Sequence, residues 1–167
     1  MGADLAGASR SDVATLSCVG QVTISRASAQ DAQQLTDLCH ASGSYQGEYA
    51  EAISTVELTP GYIAENLVFL AIDQDIRLVG FYSLIRAPAE LDMLFVADEA
   101  QGRGIGRLLV DHMFEQSRLL GLVGVRVVSH PPAEGFYRRV GARRIGTVPA
   151  KPPTTTWERP ELWFTIS

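Results

Sequence analysis

Apolar positions along this chain fall into short runs broken by polar and glycine-rich turns, and the period within each run predicts an element. Val22 to Ser28 alternates Val22, Ile24 and Arg26 and predicts a first strand. A helix over Gln30 to Ser42 follows, with Ala32, Leu35, Leu38 and Cys39 on its inner side and Ser28 as its N-cap. A second helical segment starts near Thr59-Pro60, because proline is tolerated in a first turn, and ends over Tyr62 to Asn66. Leu67 to Ile72 and Leu78 to Ile85 are apolar runs separated by Asp73-Gln74-Asp75, which predicts an antiparallel hairpin. Past the turn Ala87-Pro88-Ala89, Leu91 to Val96 is a fourth strand. From Ile105 the apolar residues Leu108, Leu109 and Met113 mark one face of a long helix, and Val110, Phe114, Leu119 and Leu120 widen that face up to a stop at Gly121. Gly124 to Ser129 predicts a fifth strand, Pro132 to Val140 a short helix, Arg143 to Val148 a sixth strand and Leu162 to Ile166 a seventh. Ser42 to Tyr49 and Lys151 to Thr156 are loops, and no internal repeat is present.

Composition narrows the class of protein. The first twenty residues are rich in Ala, Gly and Ser without a sustained apolar period, which predicts a flexible extension over 1–20 and a single domain over 21–167. No apolar stretch approaches membrane-spanning length, and no basic, apolar, small-residue succession marks a signal peptide, so a cytoplasmic protein is expected. Met1-Gly2 does not start a myristoylation motif, because position 6 is Ala. Cys18 and Cys39 form neither a C-x-x-C pair nor a metal cluster. The net charge of −5 argues against a nucleic-acid surface, while leaving room for a cationic substrate. His40 and His112, single histidines in helical patterns, read as structural.

The chemistry centres on Gln101-Gly102-Arg103-Gly104-Ile105-Gly106-Arg107, which joins the fourth strand to the long helix. The first backbone N–H groups of a helix have no intrahelical partner and carry the positive end of the helix dipole, so a phosphate fits there if the backbone can come close. Glycines permit that approach, and Arg103, Arg107 and Gln101 supply charge and hydrogen bonds; the same glycines also suit a simple tight turn. A dinucleotide fingerprint counted from Gly102 requires glycine at 107, which is Arg, and a P-loop requires a G-K-[ST] that is absent. The stretch resembles the acetyl-CoA motif [QR]-x-x-G-x-[GA] of the GNAT superfamily of acyl-CoA N-acyltransferases, met by Gln101, Gly104 and Gly106. Glu90-Leu91-x-x-Leu94-Phe95-Val96 ahead of it and Ala133, Phe136, Tyr137 and Gly141 behind it match the same family. His130 stands where Asn is usual, which puts a titratable group beside the cofactor, and Ala142 stands where an aromatic is usual.

The resemblance implies an α/β (α+β) domain: a mixed, largely antiparallel seven-stranded sheet flanked by about four helices and splayed between strands four and five. It implies acetyl transfer from acetyl-CoA to a primary amine of a small molecule or peptide, by direct attack in a ternary complex and without a metal. Leu94, Phe95, Val96, Gln101, Gly102, Arg103, Gly104, Ile105, Gly106, Arg107, His130 and Phe136 become the expected cofactor contacts. A main-chain N–H around Phe95 is expected at the thioester oxygen, and that of Val96 along the pantetheine arm. Tyr137 is the expected acid for the leaving thiolate and Glu90 the expected base, with Asp92, His130 or a water relay as rivals. Tyr45, Glu48 and Tyr49 are candidates for the acceptor wall, and Arg138, Arg139, Arg143 and Arg144 read as a solvated face or as contacts to the outer phosphates. Trp157 and Trp163 fit a core, a dimer contact or an acceptor wall, and a homodimer stays open. A GNAT-fold module that binds acyl-CoA without turnover is the alternative function, and binding of ATP or NAD instead is a third.

Overall fold

The computed structural model describes residues 21–167, so the extension expected over 1–20 and Cys18 lie outside the described residues. In chain order these build β1 (Thr23–Arg26), α1 (Ala32–His40), α2 (Ala50–Ser54), α3 (Pro60–Glu65), β2 (Leu67–Ile72), β3 (Leu78–Arg86) and β4 (Ala89–Val96). The second half adds α4 (Ile105–Leu119), β5 (Gly124–Val128), α5 (Glu134–Arg139), β6 (Arg143–Val148) and β7 (Arg159–Thr165). The seven strands form one sheet in the order β1-β2-β3-β4-β5-β7-β6. Neighbours are antiparallel except β4 and β5, which run parallel and pair only through Glu90 opposite Arg126. Beyond that single pair the two strands part, which is the expected splay.

The continuous apolar runs of β2 and β3 follow from burial on both faces. Phe69, Ala71, Tyr82 and Leu84 join one core with Ile105, Leu108, Leu109 and Met113 of α4, while Val68, Leu70 and Phe81 join another with Leu35, Cys39, Ile53 and Ile63 of α1 to α3. Local chemistry sets the helix ends. Thr59 Oγ1 accepts from the Tyr62 N–H at 3.1 Å, with Pro60 in the first turn of α3. The Asp31 carboxylate accepts from the Ser28 N–H at 2.7 Å, ahead of a 3-10 turn that leads into α1. Gly121, at φ 68°, closes α4, and the Leu122 N–H turns back to the Ser117 carbonyl.

Two expectations need correcting. There are five α-helices among the described residues rather than about four, the extra one being α2; it is barely more than one turn long and buries only Ile53, so it has no period to read. The seventh strand begins at Arg159 rather than Leu162, because Pro160, Leu162 and Phe164 alternate inward with the charged Glu161 between them. No helix among the described residues is long and apolar enough to cross a membrane.

Candidate active site

The site is the gap between β4 and β5, roofed by the loop after α1 and floored by α4 and α5: a cleft of about 740 Å³. Its wall is Leu91 to Val96 of β4, and its far side is Val128, Ser129 and His130 at the end of β5. A register shift sets that wall. Ser83 pairs with Met93 and Leu84 with Leu91, leaving Asp92 as the extra residue of a bulge. The bulge presents Asp92, an exposed side chain, to the cleft, and the Tyr62 hydroxyl donates to its carboxylate while also meeting Ser83 Oγ.

The same register decides which main-chain groups face the gap. The Ala97 N–H donates to the Val79 carbonyl at 2.9 Å, so by the antiparallel alternation the N–H groups of Phe95 and Met93 also point toward β3. Those of Leu94 and Val96 point toward the gap, where β4 has no ladder partner. Around Phe95, the expected place of an oxyanion donor, it is thus Leu94 whose N–H faces the gap, as does that of Val96. The Phe95 ring is stacked between Phe81 and Tyr45, at centroid distances of 5.7 Å on each side.

At the start of α4, Gly102 and Gly104 both adopt φ 78°, a left-handed conformation that glycine takes without Cβ strain. The first α4 main-chain donor with a partner is Leu108, to the Gly104 carbonyl at 3.0 Å; among the described residues the N–H groups of Gly102 to Arg107 have none. A Cβ on Gly106 would lie 3.1 Å from the Phe136 ring, so that glycine lets α5 close on the turn. Gln101, Gly102, Gly104, Ile105, Gly106 and Arg107 line the cleft, and Arg103, exposed, does not. Phosphate chemistry fits this end: open N–H donors, a helix dipole and one arginine.

Tyr137 is buried, with its ring edge to Phe136 and Phe164, yet it lines the cleft and its hydroxyl has no hydrogen-bond partner among the described residues. Burial, with a smaller contribution from the Tyr45 phenol, pushes its own phenol well above the ordinary value, so it stays protonated. Tyr45 is pushed up to about 12, first by burial and then by Cys39. Its ring stacks on His130 at 4.2 Å, and Tyr49 meets the same imidazole edge-on at 5.8 Å. Tyr49 in turn meets Trp157 edge-on at 4.8 Å, while the Trp163 ring lies over Gly124, where a Cβ would come within 2.0 Å of it.

Glu90 is not brought into the cleft. Its carboxylate lies 3.0 Å from Arg126 Nη1, and Glu161 holds the Nε of the same guanidinium at 2.6 Å, so it closes the base of the splay instead of opening onto the acceptor. Glu48 is exposed and Tyr49 packs on His130, both outside the lining, whereas Tyr45 is part of it. Two contributors escaped the sequence reading. Arg126 carried a legible signal, a lone charge in the apolar strand Val125-Arg126-Val127. Asp98 looked like an ordinary turn residue, yet its carboxylate accepts from the Gly43 N–H at 2.9 and 3.1 Å and from the Gln101 side-chain amide at 3.3 Å, tying the roof loop to the glycine turn.

A parallel pair parted inside an otherwise antiparallel sheet, with an open helix N-terminus beside the gap, defines a class of α/β domain whose cleft has the shape and donors for an extended, phosphate-bearing molecule. Residues 29–150 match the family model described as the acetyltransferase (GNAT) domain, and the chain belongs to that family. It is 27% identical over 105 residues to the peptidyl-lysine N-acetyltransferase YjaB of Salmonella typhimurium, a match that spans 63% of this chain and 66%, just under two thirds, of that protein. The fold is that of a GCN5-related N-acetyltransferase from Rhodopseudomonas palustris, with a TM-score of 0.75, 21% identity and coverage of 87% of this chain and 96% of that one. YjaB from Escherichia coli, solved without ligand, superposes with a TM-score of 0.65 at 21% identity over 87% of this chain and 99% of that one.

Proposed function

We propose that this protein transfers an acetyl group from acetyl-CoA to a primary amine, on a small molecule or a lysine side chain of a peptide, by direct attack in a ternary complex. The observation that carries the reading is that one cleft brings together three groups such a reaction needs. These are the open N–H groups of the glycine turn, the unpaired N–H of Leu94, and the Tyr137 hydroxyl. The turn holds the pyrophosphate, with Gln101 and Arg107 beside it, and the pantetheine arm follows β4 past Val96. The amine nitrogen adds its lone pair to the thioester carbonyl carbon, and the Leu94 N–H stabilises the charge that grows on the carbonyl oxygen. As the carbon–sulfur bond breaks, its electron pair goes to sulfur and the Tyr137 O–H supplies the proton. The setting belongs to the same proposal: a cytoplasmic protein, consistent with Cys39 as a free, buried thiol.

A thermal melt with acetyl-CoA, CoA, ATP and NAD tests the first half. A ligand at a hundred times its dissociation constant adds about 2.7 kcal/mol, which raises the midpoint of a domain this size by roughly 5–10 °C. Acetyl-CoA and CoA are expected to do this, and ATP and NAD are not. Tyr137→Phe tests the second half: the same melt shift with acetyl-CoA, and turnover of amines lowered about a hundredfold. Full melt shifts without turnover of any amine by the wild type would instead identify a silent acyl-CoA-binding module.

A further inference from the structure

Direct transfer needs a base that removes the proton the acceptor ammonium brings, and the carboxylate expected for this work is held elsewhere, on Arg126. The end of β5 offers another group. His130 lines the cleft, and its Nε2 lies 3.3 Å from the Ser44 carbonyl. A carbonyl only accepts, so Nε2 carries the hydrogen and, in the neutral ring, Nδ1 is left with a lone pair that no described residue occupies. Several contacts fix the ring. Tyr45 stacks flat on it at 4.2 Å with an interplanar angle of 17°, and Tyr49 packs edge-on at 75°. Its backbone is extended ahead of Pro131 and Pro132, where a following proline disfavours the helical alternative.

We infer that His130 is the general base of this site, taking the acceptor's ammonium proton at Nδ1 while the Ser44 carbonyl holds Nε2–H and with it the tautomer. This rests on the acetyl-transfer reading and deepens it. The ammonium N–H bond breaks as Nδ1 gains the proton, and the freed lone pair forms the bond to the thioester carbon. Sulfur later takes its proton from Tyr137. The nitrogen sheds its second proton as the amide forms, and that proton restores the Tyr137 phenolate; His130 releases the first to solvent, so ammonium and thioester give amide, thiol and one net proton. Burial lowers the imidazole below its ordinary value, partly offset by the Ser44 carbonyl, which leaves the ring neutral and ready at neutral pH. The titratable groups packed against it are the phenols of Tyr45 and Tyr49, and the charged groups that line the same cleft are Asp92, Arg107 and Arg139.

The test is kcat against pH from 5 to 9 for wild type, His130→Gln and Asp92→Asn, at saturating acetyl-CoA, with spermidine and a lysine peptide as acceptors. The expected wild-type profile falls on the acid side with a midpoint below the ordinary imidazole value. His130→Gln is expected to lower kcat about a hundredfold and to lose that limb with acetyl-CoA raised to saturate the variant, while a melt shift with acetyl-CoA shows that the variant folds and still binds it. His130→Asn, which restores the residue usual at this position, is expected to bind the cofactor equally well and to be equally slow. Persistence of the limb in His130→Gln, or a kcat within threefold of wild type, overturns the assignment, and loss of the limb in Asp92→Asn alone transfers it to Asp92. A wild type that binds acetyl-CoA and acetylates neither probe overturns the transfer reading and this inference with it, an outcome separate from the variant results.

Discussion

The Glu90–Arg126–Glu161 triad sits at the only rung joining β4 to β5, so its removal tests how the splay is held at its base. The perturbation is Arg126→Met, which keeps much of the aliphatic stem and deletes the charge. Exposed ion pairs are worth about 0–1 kcal/mol, and breaking a fully buried pair costs about 3–5 kcal/mol. The side chains of Arg126, Glu90 and Glu161 are 35%, 21% and 26% exposed, which places the loss between those limits, at about 2 kcal/mol. The variant also leaves two carboxylates facing a space that had one cation, so the loss exceeds that of a single pair. In urea unfolding at pH 7 the midpoint is expected to fall with the slope unchanged, and the melting temperature to drop by roughly 4–8 °C. The triple variant Glu90→Gln, Arg126→Met, Glu161→Gln removes every charge and is expected to regain at least half of the loss, because no unpaired ion remains. A single variant within 0.5 kcal/mol of wild type refutes the argument, as does a triple variant no more stable than the single.

Two further predictions concern other parts of the chain. Gly104→Ala places a Cβ on a residue at φ 78°, so stability is expected to fall by about 1 kcal/mol and the acetyl-CoA melt shift to shrink; an unchanged shift would detach the turn from the cofactor. His112 is buried at 3% exposure with Nδ1 2.8 Å from the Tyr82 hydroxyl, and burial lowers its pKa, so the folded state prefers the neutral ring. The unfolded chain then binds more protons below about pH 6.5, so stability is fully present above that value and is lost as pH falls through the depressed folded pKa. Urea midpoints between pH 7.5 and 5.5 are expected to decline less in His112→Gln than in wild type, and parallel declines would refute this.

Features of this chain set by near neighbours were legible in its sequence, and those set by distant contacts were not. In the α4 segment the glycine turn, the inward Leu108, Leu109 and Met113 and the stop at Gly121 were legible, since each answers to a rule spanning a few positions, whereas Leu119 and Leu120, expected to widen its apolar face, are exposed because the last turn runs past the sheet it packs on. The hairpin of β2 and β3 was legible for the same reason, as were the N-terminal signals Ser28 and Thr59-Pro60. Leu91 to Val96 was read correctly as a strand, but which of its N–H groups face the gap depends on the bulge at Asp92 and on the ladder to Val79 to Ser83. Parity along a strand cannot be counted from one strand alone.

By itself, the sequence determined that a glycine turn opens the long helix, that seven strands are interspersed with helices, and that Tyr137 lies in the short helical segment after the fifth strand. The tertiary structure alone decided that Glu90 serves Arg126, 36 residues away, and that His130 meets Ser44 across 86 residues. A residue's helical or strand state is set largely by near neighbours and their period, whereas the partner of a charged or titratable group is set by which distant strand ends the sheet order brings together. Here that order parts β4 from β5 and leaves one rung at Glu90, which withdrew the expected carboxylate from the cleft and left an imidazole beside it.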